Sequence, residues 1–122
     1  MTKKDKDLVL KDICCRLPYG VKCYIPETND ICILGSVQED GENTLFDFWE
    51  NEEKIQYGYQ FYISEFKPYL FPLSKVVDEI VITGNKHIAV NVDFFHKNHI
   101  DYRGLIDKGL ALDATNLDIY KL

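Results

Sequence analysis

The chain lacks any apolar run near the roughly 20 residues that a membrane-spanning helix needs. Its opening stretch, Met1 to Cys15, interrupts every apolar group with charge, so no signal-peptide core is present. The expectation is a cytoplasmic protein that does not engage membrane. Arginine is scarce, with only Arg16 and Arg103, and no Lys or Arg occurs between Glu27 and Glu53. With a net charge of −6, binding to duplex nucleic acid is not expected, because that affinity comes from basic side chains displacing phosphate counterions. Glycine-rich phosphate loops, a serine-nucleophile elbow and paired-acid motifs are all missing. The four cysteines, Cys14, Cys15, Cys23 and Cys32, fall at no metal-ligand spacing and form no disulfide framework, so free and mostly buried thiols are expected. No cofactor is expected and no catalytic residue is assigned.

What remains is material for a core. Of 122 residues, 46% are hydrophobic and 13% aromatic, mainly 8 Tyr and 7 Phe, which argues against disorder. The length suits one domain spanning residues 1–122, since domains commonly run to about 100–150 residues. No repeat, linker or low-complexity tract divides it. The charge is unevenly placed: +3 from Met1 to Pro26, −9 from Glu27 to Glu53, and 0 from Lys54 to Leu122, which together restore −6.

The pattern predicts an α+β fold: an N-terminal helix, a small antiparallel sheet of 4–5 strands that could close into a barrel, and short C-terminal helices. The helix runs from about Asp5 to Leu17, with Leu8, Val9, Asp12, Ile13 and Arg16 recurring at helical spacing, and Pro18-Tyr19-Gly20 ends it. Strands follow at Val21–Ile25, Ile31–Val37, Thr44–Trp49 and Tyr57–Ile63, separated by turns at 26–30, 39–43 and 50–54. Residues 66–73 hold two prolines and read as an irregular apolar segment lying across the sheet. Residues 74–83 fit a short helix or a strand. A helix over Asn91–Asn98 would turn Val92, Phe94, Phe95 and His96 inward, a turn over 103–108 stops at Gly109, and 110–122 reads as an edge strand or docked tail.

Three segments, Leu17-Pro-Tyr-Gly-Val-Lys22, Glu65-Phe-Lys-Pro-Tyr-Leu-Phe-Pro-Leu-Ser74 and Asp101-Tyr-Arg-Gly-Leu-Ile-Asp-Lys-Gly-Leu-Ala-Leu112, carry a resemblance. Through them the chain resembles uncharacterised small proteins of gut Bacteroidetes and of their phages and mobile elements. The resemblance implies a bacterial cytoplasm. It implies no activity and transfers no site residues.

Three constellations are candidates for function. His96 and His99 lie three residues apart, with Asp93 and Asp101 nearby, and imidazole plus carboxylate suits zinc or iron. This is the basis for an alternative reading as a metal- or small-ligand-dependent enzyme. The other account of these residues is a half-exposed His96 with His99 at a helix end. Asp101 and Arg103 could form a ligand-binding pair in which the guanidinium holds a carboxylate or phosphate; the competing account has Asp101 capping a turn, Arg103 paired locally and Gly104 allowing close packing. The acidic stretch, through Glu39, Asp40, Glu42, Trp49, Glu50, Glu52 and Glu53, is either a solvated hairpin face or a contact surface for a basic protein partner. The preferred reading is a protein-interaction or regulatory module, with self-association allowed by a basic first helix facing a negative middle.

Overall fold

Helix α1, Lys3–Arg16, begins where Thr2 and Asp5 form a reciprocal capping box. The Thr2 hydroxyl accepts from the Asp5 N–H at 3.1 Å, and the Asp5 carboxylate accepts from the Thr2 N–H at 3.3 Å. The helix starts two residues earlier than the hydrophobic periodicity predicts because this cap, rather than the apolar row, sets its first turn. Leu17–Tyr19 then tightens into a 3-10 turn that ends at Gly20. The buried face of α1 is Val9, Asp12, Ile13 and Arg16, so a charged pair occupies half of it.

A computed structural model describes residues 1–41, 43–50, 56–74 and 92–120, with only the backbone described at 40, 56, 57 and 59. The expectation for 75–83 lies outside the described residues, as do Glu42, Glu52 and Glu53. Strands β1 (Lys22–Ile25), β2 (Asp30–Asp40), β3 (Asn43–Trp49) and β4 (Gln56–Phe61) form the expected antiparallel meander. Beyond them the sheet is larger than predicted and mixed. Strand β5 (Lys67–Pro72) is antiparallel to β1 but parallel to both β6 (Ile100–Asp101) and β7 (Leu112–Asp113), giving the order β4-β3-β2-β1-β5-β6 with β7 also on β5. The path does not close into a barrel.

The prolines do not exclude 66–73 from the sheet, because Pro68 and Pro72 stand at the second and last positions of β5. The residues between them supply the bonds that are used. The Phe71 N–H donates to the His99 carbonyl at 2.8 Å, and the Leu70 and Tyr69 carbonyls accept from the Ala114 N–H and the Tyr120 hydroxyl. Side chains along this segment alternate between two cores. Phe66 and Leu70 join Val9, Ile13, Cys23, Phe46 and Phe48 under α1, while Tyr69 and Phe71 join Ile100, Ala114 and Tyr120 on the opposite face. A strand buried on both faces reads as a nearly continuous apolar run, which is why alternation does not reveal it.

Helix α2 (Val92–Lys97) lies where a helix is expected, but Val92 is 52% exposed and only His96 is buried. Two thiols, not most of them, are buried: Cys23 and Cys32 face each other across β1 and β2, while Cys14 and Cys15 are exposed. Burial pushes the Cys23 thiol up, and burial followed by Asp30 and Glu50 pushes Cys32 up to about 11, so both stay protonated near neutrality.

Gly35 sits at the irregularity in β2, between Leu34 and Ser36, and the Trp49 indole lies on it. A methyl at this position would stand 2.8 Å from Trp49 Cε2 and Nε1. Gly35→Ala is therefore expected to displace the ring and cost about 1–3 kcal/mol by overpacking. Trp49 is the single tryptophan, so a red-shifted emission maximum together with a lower urea midpoint checks the outcome directly.

Candidate functional site

The most elaborate polar structure grows from α1. Asp12 and Arg16 are one helical turn apart, and both side chains are fully buried. Arg16 makes four hydrogen bonds: Nε and Nη2 to the two Asp12 carboxylate oxygens at 2.8 and 3.1 Å, Nη2 to the Ile100 carbonyl at 2.6 Å, and Nη1 to the Phe95 carbonyl at 3.2 Å. Arg103 Nε donates to Asp12 Oδ1 at 3.1 Å, so one carboxylate is shared by two guanidiniums. These bonds tie α1 to the end of α2, to β6 and to the following turn.

Tyr102 caps this network at the surface. Its ring stacks on Phe95 at 5.2 Å and 20°, and the Arg103 guanidinium carbon lies 4.8 Å from its centroid. Arg103 Nη2 donates to the Tyr102 hydroxyl at 2.7 Å, and that hydroxyl lies 2.8 Å from His96 Nε2. A guanidinium can only donate, so the tyrosine proton is free to point toward His96. The hydroxyl oxygen has two lone pairs, so either tautomer of His96 satisfies this contact. Desolvation first, then Arg16, holds the His96 pKa below its ordinary value, which agrees with a neutral ring.

Asp93, His96, His99 and Asp101 do not assemble a ligand set. Among the described residues no three His, Cys, Asp or Glu side chains converge as metal ligands. Asp93 is exposed, His96 is held by Tyr102, and the Asp101 carboxylate accepts from the Leu105 and Ile106 N–H groups, both at 2.9 Å. The latter bonds explain why Asp101 and Arg103 do not act as a pair: Asp101 caps its turn, and Arg103 reaches Asp12, 91 residues away in the chain. Gly104 has nothing within 4 Å of where a Cβ would stand, so its φ of +74°, not close packing, requires glycine.

The acidic stretch separates into two ends. Ile33 pairs with Trp49 at one end of the β2–β3 ladder and Asp40 pairs with Asn43 at the other. That is roughly 23 Å of strand at 3.3 Å per residue. Exposed Glu39 and the backbone of Asp40 lie at the hairpin tip. Exposed Glu27, Asp30 and Glu50 lie toward the opposite end, where Trp49 and the 39%-exposed Ile31 share one sheet face with Ile33. Asp47, midway, is buried and accepts from Ser36 Oγ and Gln38 Nε2 at 2.9 and 2.7 Å.

Sequence reasoning did not single out Tyr120 as a functional residue. For Asp12 and Arg16 a signal was present, since two opposite charges recur within an apolar helical row. His99 stood out only as a candidate metal ligand, and nothing in the sequence marked its burial. His99 is 6% exposed, its backbone is left-handed at φ 57°, and its Nδ1 has no hydrogen-bond partner among the described residues. Each feature costs on the order of 1–3 kcal/mol. Its ring stacks on Tyr120 with centroids 3.9 Å apart, and together with Tyr19, Lys22, Ile33 and Ile119 the two line a cavity of about 280 Å³. A second cavity of about 480 Å³ lies between the first turns of α1 and the segment Tyr62–Ser64.

Compared with known protein families, with curated proteins and with solved structures, the chain matches none. Among the described residues no helix is long and apolar enough to cross a membrane.

Proposed function

We propose that the protein is a small interaction module of the bacterial cytoplasm, phage- or mobile-element-borne, that binds a basic partner protein at the Glu50 end of the β2–β3 ladder. One observation carries this reading. Ile31 and Trp49 lie on the sheet face opposite α1, with exposed Glu27, Asp30 and Glu50 near them, within a stretch that holds no basic residue. An apolar centre with a charged rim is the layout of a protein contact, with the rim speeding association and selecting partners by sign. The enzyme alternative loses its motivation because the imidazoles and carboxylates assigned to it are held apart or already hydrogen-bonded.

Titration of Lys/Arg-rich peptides containing aromatic or aliphatic residues, followed through Trp49 emission, tests the reading. Binding should be saturable, should weaken with added salt, and should fall by about tenfold or more in Glu27→Lys/Glu50→Lys. Equal binding by the charge-reversed protein, or no response from Trp49 at low ionic strength, overturns it.

A further inference from the structure

The cavity beside β1 is a separate feature and does not depend on the protein-contact reading. Its walls come from four parts of the chain: Tyr19 and Gly20 after α1, Lys22 and Ile33 on the sheet, His99 before β6, and Ile119 and Tyr120 near the C-terminal end. In a protein of net charge −6, no carboxylate lines it among the described residues, and Lys22 is the one charged residue among those that do. The ammonium is fixed in place: Lys22 Nζ donates to the Ile119 carbonyl and lies 6.0 Å from the Tyr120 ring centroid. That bond uses one of the three donors of an ammonium and leaves two for a ligand.

The aromatic wall is equally fixed. The Tyr120 hydroxyl accepts from the Lys22 N–H at 2.7 Å and donates to the Tyr69 carbonyl at 2.8 Å, so the ring cannot turn away. His99 stacks on it at 16° and keeps a buried Nδ1 that has no partner among the described residues. A left-handed backbone, a burial without a partner and a place in a cavity wall all fall on one residue. Such strain persists where the surroundings hold it and collects at ligand sites.

We propose that this cavity binds a small planar carboxylate, with the Lys22 ammonium holding the carboxylate and Tyr19 and the Tyr120–His99 stack walling the ring. A volume of about 280 Å³ is at the lower limit for small-molecule sites, so the ligand is about single-ring in size. Burial keeps the imidazole uncharged at neutral pH, so among the described lining residues the positive charge comes from Lys22.

The test uses the intact chain with benzoate as probe, read through the ring nitrogen and carbon-bound proton signals of His99 in long-range ¹H–¹⁵N spectra. Benzoate should shift these signals saturably, with acetate, inorganic phosphate and benzamide weaker by about tenfold or more. Lys22→Met should remove the benzoate response. Tyr19→Ala, at a side chain already 41% exposed, should weaken it several-fold without disturbing the fold. No saturable response to benzoate at about 10 mM overturns the proposal, as does an equal response to benzamide. An equal response to phosphate would reduce the site to a bare anion contact and equally overturns it. Should Lys22→Met fail to fold, an unchanged benzoate affinity in Tyr19→Ala overturns it alone.

Discussion

Asp12→Ala is expected to destabilise the protein by about 3–5 kcal/mol, because it leaves the buried Arg16 and the partly buried Arg103 without the carboxylate they share. Small domains hold only about 5–15 kcal/mol in total, so a large part of the stability goes with this one side chain. The urea midpoint should fall by roughly 2 M for a denaturant slope near 2 kcal/mol/M. The loss reflects two uncompensated cations, and a double substitution separates that from simple lost contact. Asp12→Leu/Arg16→Met removes one cation with its counter-charge, so its destabilisation should be less than the sum of the two single changes by about 1–3 kcal/mol. It should still fall below the parent, because the Phe95 and Ile100 carbonyls lose their donor and Arg103 loses its partner. A fully additive cycle would show that the network is not coupled.

The second large effect is a loss of stability in mild acid that centres on His99. Desolvation first, then Arg16 and Lys22, lowers its pKa from the ordinary 6.5 to about 4. The imidazole is therefore neutral in the folded chain over a range where the unfolded chain has already taken up its proton. Between about pH 6.5 and pH 4 the unfolded state binds more protons, so stability falls as pH falls and is flat above that window. The total from this one group is on the order of 3 kcal/mol. His96, lowered for the same leading reason, adds to the effect with the same sign. Urea melts at a series of pH values should show the decline. His99→Asn, which suits the left-handed backbone, should flatten the profile while lowering stability at pH 7 through loss of the stack on Tyr120. An unchanged pH slope in His99→Asn would assign the acid sensitivity elsewhere.

Much of the first half of the fold was readable before any coordinates. Helix α1 follows from its apolar spacing, apart from the first turn that the Thr2–Asp5 cap sets; β1 to β3 follow from short apolar-rich runs between turns rich in Gly, Asn and Asp. The second half resisted for a specific reason. Strands β6 and β7 are two residues each, too short for any period to register, and they exist because β5 offers them a backbone edge. Strand β5 itself shows no alternation in hydrophobicity because its two faces enter two cores. The candidate metal and ligand-pair residues do not converge among the described residues for a related reason: three-residue spacing places His96 and His99 near each other, but partners far along the chain determine what each one contacts. Tyr102 claims His96, Tyr120 claims His99, and Asp12 claims Arg103.

Taken alone, the order of residues determined a helix-then-meander start, a chain with no membrane-spanning run, and a negative middle flanked by positive and neutral segments. Periodicity and net charge are local or additive properties, and a sequence contains them in full. Only the tertiary structure decided that the negative stretch divides into two ends, that a buried carboxylate serves two arginines, and that Lys22, His99 and Tyr120 wall one cavity. Those outcomes depend on which backbone donors and acceptors meet when β5, β6 and the C-terminal segment come together. Pairings across 80 to 100 residues of chain are set by that closure and leave no periodic mark on the sequence.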